Sequence, residues 1–407
     1  MESISVAKAT TKSFFSKVLS GTLLIAGTAI GAGMLGIPLL TAQAGLYPAL
    51  LITGLVWVFM LATGWLIVEA TLWMPPGANI LTITGRLLGA RGRLLAGALF
   101  LFLYYCLMTA YVAGGAPIFS ALLTGATGLA LPGMSAHLLF ALVFGLIVFR
   151  GVRSIDRVNL FLMLGMALSY LFLVGFGVQG VNREHFVFFD LPAAFTAAPV
   201  LFSAFGYHNV IPSLCTYLER DRKALRLSIV FGTSIALIVY AVWQWLVIGS
   251  VPLEAIAAAK AAGQPATAVL QTIHAHPWLG RSASAFGFFA LVTSLLGVAL
   301  SMVDFIADGL RKYHVRRFVP TLLTFAPPLL IAVIDPTLFD RALGISGGFG
   351  EAFLNGLLPV LLVWAGRYKL KLASEAGLAG GKPILWLLAA IAIGVFLLEA
   401  VVLVKEF

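Results

Sequence analysis

Charged residues are scarce in this chain of 407 residues, and that scarcity excludes a soluble globular protein. Only 10% of the residues are charged and 61% are hydrophobic, whereas a soluble domain carries about 25% charged residues. No charge occurs between Lys17 and Glu69 or between Arg93 and Arg150. Each gap holds one or more apolar runs of about 20 residues, enough for a helix to cross a bilayer. The composition therefore predicts an all-α polytopic membrane protein.

Cysteines and groups that do catalysis are also few. The two cysteines, Cys106 and Cys215, both fall in apolar runs, so neither a disulfide framework nor a metal site is expected. No catalytic triad, HExxH motif or pair of carboxylates lies within an apolar run, which leaves an intramembrane enzyme as a remote alternative. No basic patch with interleaved aromatic residues indicates nucleic acid, and no cofactor is expected.

Hydropathy and turn-forming residues predict eleven membrane spans. Turns are expected at Tyr47-Pro48 and at Ser346-Gly347-Gly348, among other places. The predicted spans are residues 18–40, 47–70, 94–123, 134–150, 157–179, 192–217, 227–250, 282–308, 318–335, 351–366 and 383–404.

The positions of lysine and arginine predict how the chain is oriented. With the N-terminus in the cytoplasm, all but five of the 26 basic residues fall in cytoplasmic segments. This bias follows the positive-inside rule, fits an odd number of spans and places the C-terminus outside. The basic segments face the lipid headgroups of the bilayer. The five exceptions are Arg183, Lys260, Arg281, Arg341 and Lys405.

The string GAGMLG at residues 31–36 has the spacing of a dinucleotide fingerprint, but its context is wrong for one. That fingerprint needs a strand before it and an acidic residue about 20 positions later, whereas position 56 is Val and the first acid is Glu69. Close helix packing through small residues is the simpler alternative. Three glycines and Pro38 within eight residues favour a helix broken inside the membrane, whose free backbone groups bind a ligand.

A second string, PVLFSAFGYHNVIPSL at residues 199–214, repeats this pattern in the sixth span. Two breaks in corresponding spans predict two halves of opposite orientation with a binding site between them. The predicted division is an N-terminal cytoplasmic segment, spans 1 to 5, spans 6 to 10, and a loop with the eleventh span. Their ranges are 1–17, 18–180, 181–370 and 371–407.

The two strings GTAIGAGMLGIPLLTAQAG and SAFGYHNVIPSL, with IVYAVWQWLVIGSVP and TSLLGVALSMVDF, resemble the hydroxy and aromatic amino acid permeases. This bacterial family includes tyrosine- and tryptophan-specific symporters. The resemblance implies the LeuT-type fold of five-plus-five inverted repeats found in the amino acid–polyamine–organocation superfamily. It also implies proton-driven uptake of an aromatic amino acid through the inner membrane.

An amino acid needs partners for its carboxylate, its ammonium group and its side chain. Amide groups of the broken first span are predicted to bind the carboxylate, and carbonyls of the sixth span to bind the ammonium. Aromatic residues would enclose the side chain, although each alone is more readily a packing residue. The predicted substrate-binding residues are Ile30, Gly31, Ala32, Gly33, Met34, Tyr105, Met108, Phe202, Ser203, Phe205, Gly206 and Tyr207.

The sequence leaves the choice of coupling ion open between H⁺ and Na⁺. His208 lies within the sixth span and titrates in a range that suits proton coupling, unless it is a neutral histidine bonded to the broken helix. In sodium-coupled relatives of the superfamily, hydroxyls of the eighth span and carbonyls of the first span hold Na⁺. The resemblance implies Thr293 and Ser294 with Gly27 and Ile30 for such a site, although these hydroxyls also suit contacts between helices.

Acidic residues at the span ends are candidates for gates. Glu69 and Asp304 are predicted to pair with basic loop residues, whereas His274 and His276 are expected to be solvated. The favoured hypothesis is a monomeric bacterial inner-membrane importer of an aromatic amino acid, with tyrosine favoured, coupled to H⁺. A sodium-coupled neutral amino acid carrier is the alternative.

Overall fold

The protein is helical in every long element of its computed structural model. The structure describes residues 2–128, 131, 133–271, 278–310, 313–373 and 380–406. The predicted solvated residues His274 and His276 lie outside the described residues.

The first part of the chain forms six α-helices and several 3₁₀ turns. The turns are Ala32–Gly36, Ala42–Ala44, Val178–Gly180 and Arg183–Phe186. The helices are α1 (Glu2–Ala29), α2 (Ile37–Thr41), α3 (Leu46–Leu72), α4 (Ile80–Thr127), α5 (Gly133–Phe149) and α6 (Val152–Gly177).

The second part begins with short helices and continues with long ones. A 3₁₀ turn covers His208–Val210, and π-helical segments cover Ser346–Leu357 and Ala365–Lys369. The helices are α7 (Leu191–Phe195), α8 (Ala198–Ala204), α9 (Ile211–Tyr217), α10 (Arg222–Ser250), α11 (Leu253–Ala261), α12 (Ala266–Leu270), α13 (Leu279–Gly309), α14 (Phe318–Ile334), α15 (Phe339–Ile345), α16 (Leu358–Trp364) and α17 (Gly381–Glu406).

Length and composition qualify several helices as membrane spans. Among the described residues seven helices qualify, or eight if the bent pair Phe14–Ala29 and Ala32–Ala44 is one span. Helices α5 and α14 are apolar but only 17 residues long. The predicted sixth span is divided among α7, α8 and α9. A multi-pass helical architecture is thus present, while the count of eleven and the orientation of the termini stay predictions.

Both predicted breaks are present. The first break, residues 30–31, separates α1 from the turn at Ala32–Gly36, and the helix axis bends there by 45°. The second break, residues 205–207, follows the end of α8. Glycine and proline explain both, because glycine weakens a helix and proline removes a backbone donor.

The predicted turn at Ser346-Gly347-Gly348 is wrong. Helix α15, the two π-helical segments and α16 form one continuous helical stretch, Phe339–Lys369, so the predicted tenth span starts twelve residues too late. The glycines serve packing instead. A Cβ on Gly347 would lie only 1.7 Å from the carbonyl oxygen of Pro199 in α8. Small residues let two membrane helices approach this closely.

The long helices place the two breaks at the centre of the bundle. Helix α1 packs along α10, while α13 packs against α6 and α4. Helix α8 contacts the turn Ala32–Gly36 on one side and the π-helical segment Ser346–Leu357 on the other. Helix α17 covers that π-helical segment from outside. Backbone groups freed at the breaks are therefore enclosed by protein, as the membrane interior demands.

Candidate functional site

The first break exposes backbone directly to a neighbouring helix. Ile30 and Gly31 lie outside helices, and the N–H of Ala32 donates to Oγ of Ser294 on α13 at 2.9 Å. A Cβ on Gly31 would lie 2.3 Å from that oxygen, which no side chain can accommodate without movement. The lack of a side chain on Gly31 therefore lets α13 approach the amide end of the turn Ala32–Gly36 this closely.

The two breaks meet through Gly33. A Cβ on Gly33 would lie 2.9 Å from the Cα of Ala204, the last residue of α8. The neighbouring atom belongs to backbone, so a larger residue must push the broken helices apart. The sequence predicted Gly33 as a substrate-binding residue, and that role stays a prediction.

Tyr240 on α10 joins the two broken ends. Its hydroxyl lies 2.6 Å from the carbonyl oxygen of Ala29 and 2.8 Å from that of Ala204. A hydroxyl has one hydrogen to donate, so it satisfies one of these carbonyls at a time. Trp243, one turn later, donates from Nε1 to the carbonyl oxygen of Met34 at 2.9 Å. Sequence reasoning missed both residues, although a spacing of three on a predicted helix was a signal that they share a face.

A cavity of about 310 Å³ lies beside the breaks. Its wall combines backbone of α1 and α8 with side chains of α4, α6, α13 and the π-helical segment. Among the residues predicted from the sequence, those that line it are Gly27, Gly31, Ala32, Gly33, Ser203, Gly206, Thr293 and Ser294.

Several predicted aromatic and soft residues do not line this cavity. Phe202 stacks on Phe59 of α3 with ring centroids 5.0 Å apart, and Phe205 packs edge-on against Tyr240. The hydroxyl of Tyr105 donates to the carbonyl oxygen of Leu323 on α14. Ile30 packs against the core, whereas Met34 and Met108 are fully buried within it. Phe100, Tyr104 and Tyr111 of α4 form the aromatic part of the wall.

Tyr207 and His208 face α3 rather than the cavity. The hydroxyl of Tyr207 donates to the carbonyl oxygen of Met60 at 3.0 Å. The Nε2 atom of His208 lies 2.9 Å from Oγ1 of Thr63, and its Nδ1 atom is buried with no partner in the described part of the chain. This placement suits a neutral histidine that fixes the second break, although a proton role for it stays a prediction.

The hydroxyls of the implied sodium site already have backbone partners. Thr293 donates to the carbonyl oxygens of Phe289 or Ala290 within its own helix. Ser294 accepts from Ala32, while Ser294, Thr293 and Gly27 share the cavity wall. Three or more His, Cys, Asp or Glu residues placed to hold a metal ion are not found within the described ranges.

Glu351 is a cavity residue that the sequence did not single out. It lines the cavity from the π-helical segment, and its side chain is buried. The side-chain amide of Asn355, which lines the same cavity, donates to its Oε2 atom. The predicted tenth span began at residue 351 and so placed this carboxyl at a membrane edge. The glycines of SGGFG resemble a turn, so the sequence held no clear signal that the helix starts earlier.

The two predicted gating acids form ion pairs of different kinds. Glu69 accepts two hydrogen bonds from Arg367, at 2.7 and 2.6 Å, and its side chain is only 1% exposed. Asp304 pairs with Arg317 at 3.5 Å, and the Asp304 side chain is 56% exposed. The first pair joins α3 to the end of the Phe339–Lys369 stretch.

Comparison with solved structures identifies the fold. The chain is similar to MhsT, solved as a crystal structure in complex with L-phenylalanine, with a TM-score of 0.62 over 96% of this chain and 98% of the other. The sequence identity is 17%, so this similarity concerns the fold alone. The predicted LeuT-type architecture is therefore confirmed.

Comparison with curated proteins finds transporters. A tryptophan-specific transport protein of Pseudomonas aeruginosa is 32% identical, covering 89% of this chain and 90% of the relative. A tryptophan-specific transport protein of Haemophilus influenzae is 34% identical over 88% and 89%, and that organism's tyrosine-specific transport system 1 is 34% identical over 86% and 89%. All three are transport proteins rather than enzymes, so the remote alternative of an intramembrane enzyme is wrong.

A family model matches almost the entire chain, from residue 15 to residue 399. The match includes both breaks and every residue of the cavity wall. The predicted family resemblance is thus confirmed: the chain belongs to the tryptophan/tyrosine permease family.

Proposed function

We propose that this protein imports an aromatic amino acid, with tyrosine favoured, by proton symport and alternating access across a bacterial inner membrane, working as a monomer. The observation that carries the proposal is the cavity between the two breaks. It brings bare backbone and aromatic rings together in one space, and these are the groups that a zwitterion with an aromatic side chain requires.

The carboxylate of the substrate would bind at the first break. The turn Ala32–Gly36 begins there, and the N–H groups at a helix start favour an anion. Ala32 and Gly33 line the cavity, and no charged side chain competes at this end of it among the described wall residues. The ammonium group would then point toward the carbonyl end of α8, where Ser203 and Gly206 line the cavity.

The aromatic side chain would lie among residues of α4 and α6. Phe100, Tyr104 and Tyr111 supply ring faces and edges, while Met163 and Met166 supply soft, adaptable contacts. Polar Asn209, on the same wall, is suited to a phenolic hydroxyl. The cavity volume of about 310 Å³ is near the lower end of the range for ligand pockets, about 300–1,000 Å³, and favours a single amino acid.

Sodium coupling is a second candidate because Gly27, Thr293 and Ser294 do share the cavity wall. A hard monovalent cation would need several oxygen ligands at that point. Proton coupling is preferred because a carboxyl lies in the same cavity.

Reconstitution into liposomes tests the proposal. Labelled tyrosine, tryptophan and phenylalanine would each be offered under an imposed proton gradient and then under an imposed sodium gradient. Tyrosine accumulation under the proton gradient alone is expected, with its collapse when a protonophore is added. Accumulation under neither gradient would contradict symport, and accumulation under sodium alone would select the second candidate.

A further inference from the structure

Glu351 is the residue whose position the transport site does not yet explain. It carries the carboxyl side chain of the cavity wall, and the other described wall residues supply no Asp, Glu, Lys, Arg or His. The Glu351 residue is 6% exposed. An ionised carboxylate in such a place is costly unless a cation or a proton neutralises it.

The surroundings of Glu351 offer no resident cation. Its own helix supplies Asn355, which donates to Oε2. Helix α4 supplies the phenols of Tyr104 and Tyr111, which line the same cavity. Helix α17 supplies a second carboxyl, Glu399, packed against Gly344 and Gly348. The salt bridges found within the described part of the chain do not include Glu351.

The second oxygen of the carboxyl faces the second break. A Cβ built on Gly206 would lie 2.8 Å from Oε1 of Glu351 and 3.3 Å from the carbonyl oxygen of Ser203. Oε1 and the Ser203 carbonyl thus flank one small space that glycine leaves open. A protonated Oε1 can donate into this space toward a backbone acceptor, whereas an ionised Oε1 there meets carbonyl oxygen and is repelled.

We propose that Glu351 carries the coupling proton of the transport cycle, with Asn355 fixing one oxygen of its carboxyl and the second break facing the other; the assignment rests on the proton symport proposed above. Loading forms one O–H bond on the carboxylate, with the proton taken from the side of higher proton concentration. Release breaks that bond toward water on the other side and restores the carboxylate.

Movement of the second break couples the proton to the substrate. When the carboxyl is neutral, α8 and the π-helical segment can stay in contact at Gly206 while the amino acid is bound. When the carboxyl is ionised, repulsion by the Ser203 carbonyl at the second break opposes the loaded state. Substrate and proton therefore favour each other's binding, as symport requires.

The test compares Glu351→Gln with Glu399→Gln in liposomes. Glutamine keeps the shape of a protonated glutamate but cannot release a proton. Glu351→Gln is expected to retain exchange of labelled for unlabelled tyrosine while losing accumulation driven by a proton gradient. Glu399→Gln, which changes a buried carboxyl outside the cavity wall, is expected to retain both. Accumulation by Glu351→Gln at the wild-type level would overturn the proposal, as would loss of tyrosine exchange by a correctly folded variant.

A second measurement uses the unaltered protein. A hydrophobic carbodiimide adds across the O–H of a protonated carboxyl, and the resulting acylurea is detected by peptide mass spectrometry. Labelling of Glu351 is expected to increase in acidic buffer and to fall when tyrosine fills the cavity. Absence of labelling at every pH would overturn the proposal even if Glu351→Gln failed to fold.

The controls separate this inference from the proposed function. If the wild type exchanges no aromatic amino acid, the proposed substrate is wrong whatever Glu351 does. If the wild type exchanges tyrosine but accumulates it only under a sodium gradient, the substrate stands and the proton assignment to Glu351 is overturned.

Discussion

At the residue scale, the centre of the site is held by side chains that bond to backbone. Tyr240 and Trp243 bind carbonyl oxygens, while Ser294 accepts from a backbone amide. Broken helices leave such groups without their usual partners, and an unsatisfied buried group costs about 1–3 kcal/mol. These three residues therefore stabilise the breaks inside a membrane protein without filling the cavity.

Tyr240→Phe is predicted to weaken substrate binding in addition to lowering stability. The change removes the donor shared by the carbonyls of Ala29 and Ala204, so both broken ends lose their fixed position. The affinity for tyrosine is expected to fall about tenfold, which corresponds to about 1.4 kcal/mol. Equilibrium binding to the detergent-purified protein measures this effect.

The matched control for that variant is Tyr170→Phe. The hydroxyl of Tyr170 also donates to a backbone carbonyl, that of Val239, which is partly buried, and Tyr170 does not line the cavity. This variant is expected to lose a similar amount of stability and to keep its affinity for tyrosine. Equal loss of affinity in both variants would show that Tyr240 has only a general structural role.

Gly33→Val is predicted to abolish uptake while the protein still reaches the membrane. The added side chain meets the backbone of Ala204 and separates the two breaks. Uptake by intact cells should fall by at least about tenfold. Gly54→Val is the control, because a Cβ at Gly54 meets nothing within 4 Å. Normal uptake by Gly33→Val would contradict a role for this contact.

The contribution of each residue was predictable where it depends on local sequence. Gly31, Gly33 and Gly206 were identified because glycine and proline within a span predict a break, whichever side of the helix faces the cavity. Phe202, Phe205 and Tyr207 were expected near the substrate because they flank the predicted break, yet they face α3 or α10. Which side of a short broken helix faces the cavity depends on how its neighbours pack, and one sequence does not encode that directly.

At the element scale, the π-helical segment Ser346–Leu357 carries the largest difference between sequence and structure. Its glycines resemble a turn when only the chain is considered. In the folded bundle the glycines leave room for Pro199, Leu103 and Glu399, which belong to three different helices. A wide helix of this kind marks functional sites in many proteins, and here it places Glu351 in the cavity.

Glu69 and Arg367 are predicted to lock α3 to the end of the Phe339–Lys369 stretch. Because the pair is bidentate and Glu69 is buried, Glu69→Gln leaves a largely buried guanidinium without its charge partner. The expected loss of stability is about 3 kcal/mol, near the lower end of the range for broken buried pairs. The apparent melting temperature of the purified protein should fall clearly.

The exposed pair of Asp304 and Arg317 serves as the control for that experiment. Its side chains are 56% and 37% exposed, and such pairs contribute at most about 1 kcal/mol. Asp304→Asn is therefore expected to change the melting temperature little. A melting temperature for Glu69→Gln as high as that for Asp304→Asn would argue against a locking role for the buried pair.

At the scale of the whole molecule, the apolar surface and the basic residues are arranged for a bilayer. Large apolar side chains remain exposed along the outer faces of α3, α6 and α17, including Leu55, Phe161 and Leu397. Their exposure is favourable in lipid and unfavourable in water. The sequence predicted this architecture well because hydropathy depends on composition over about 20 residues rather than on side-chain direction.

The orientation predicted from the basic residues can be tested with single cysteines. In a background where Cys106 and Cys215 are replaced by alanine, Lys405→Cys should react with a membrane-impermeant maleimide applied outside intact cells. Lys371→Cys, in the segment before the last helix, should react only after the membrane is opened. If α17 crosses the bilayer once between these positions, the two results will differ in sidedness. Labelling of both from outside would contradict a C-terminal helix that spans the membrane, and the reverse pattern would invert the topology and with it the direction in which Glu351 releases its proton.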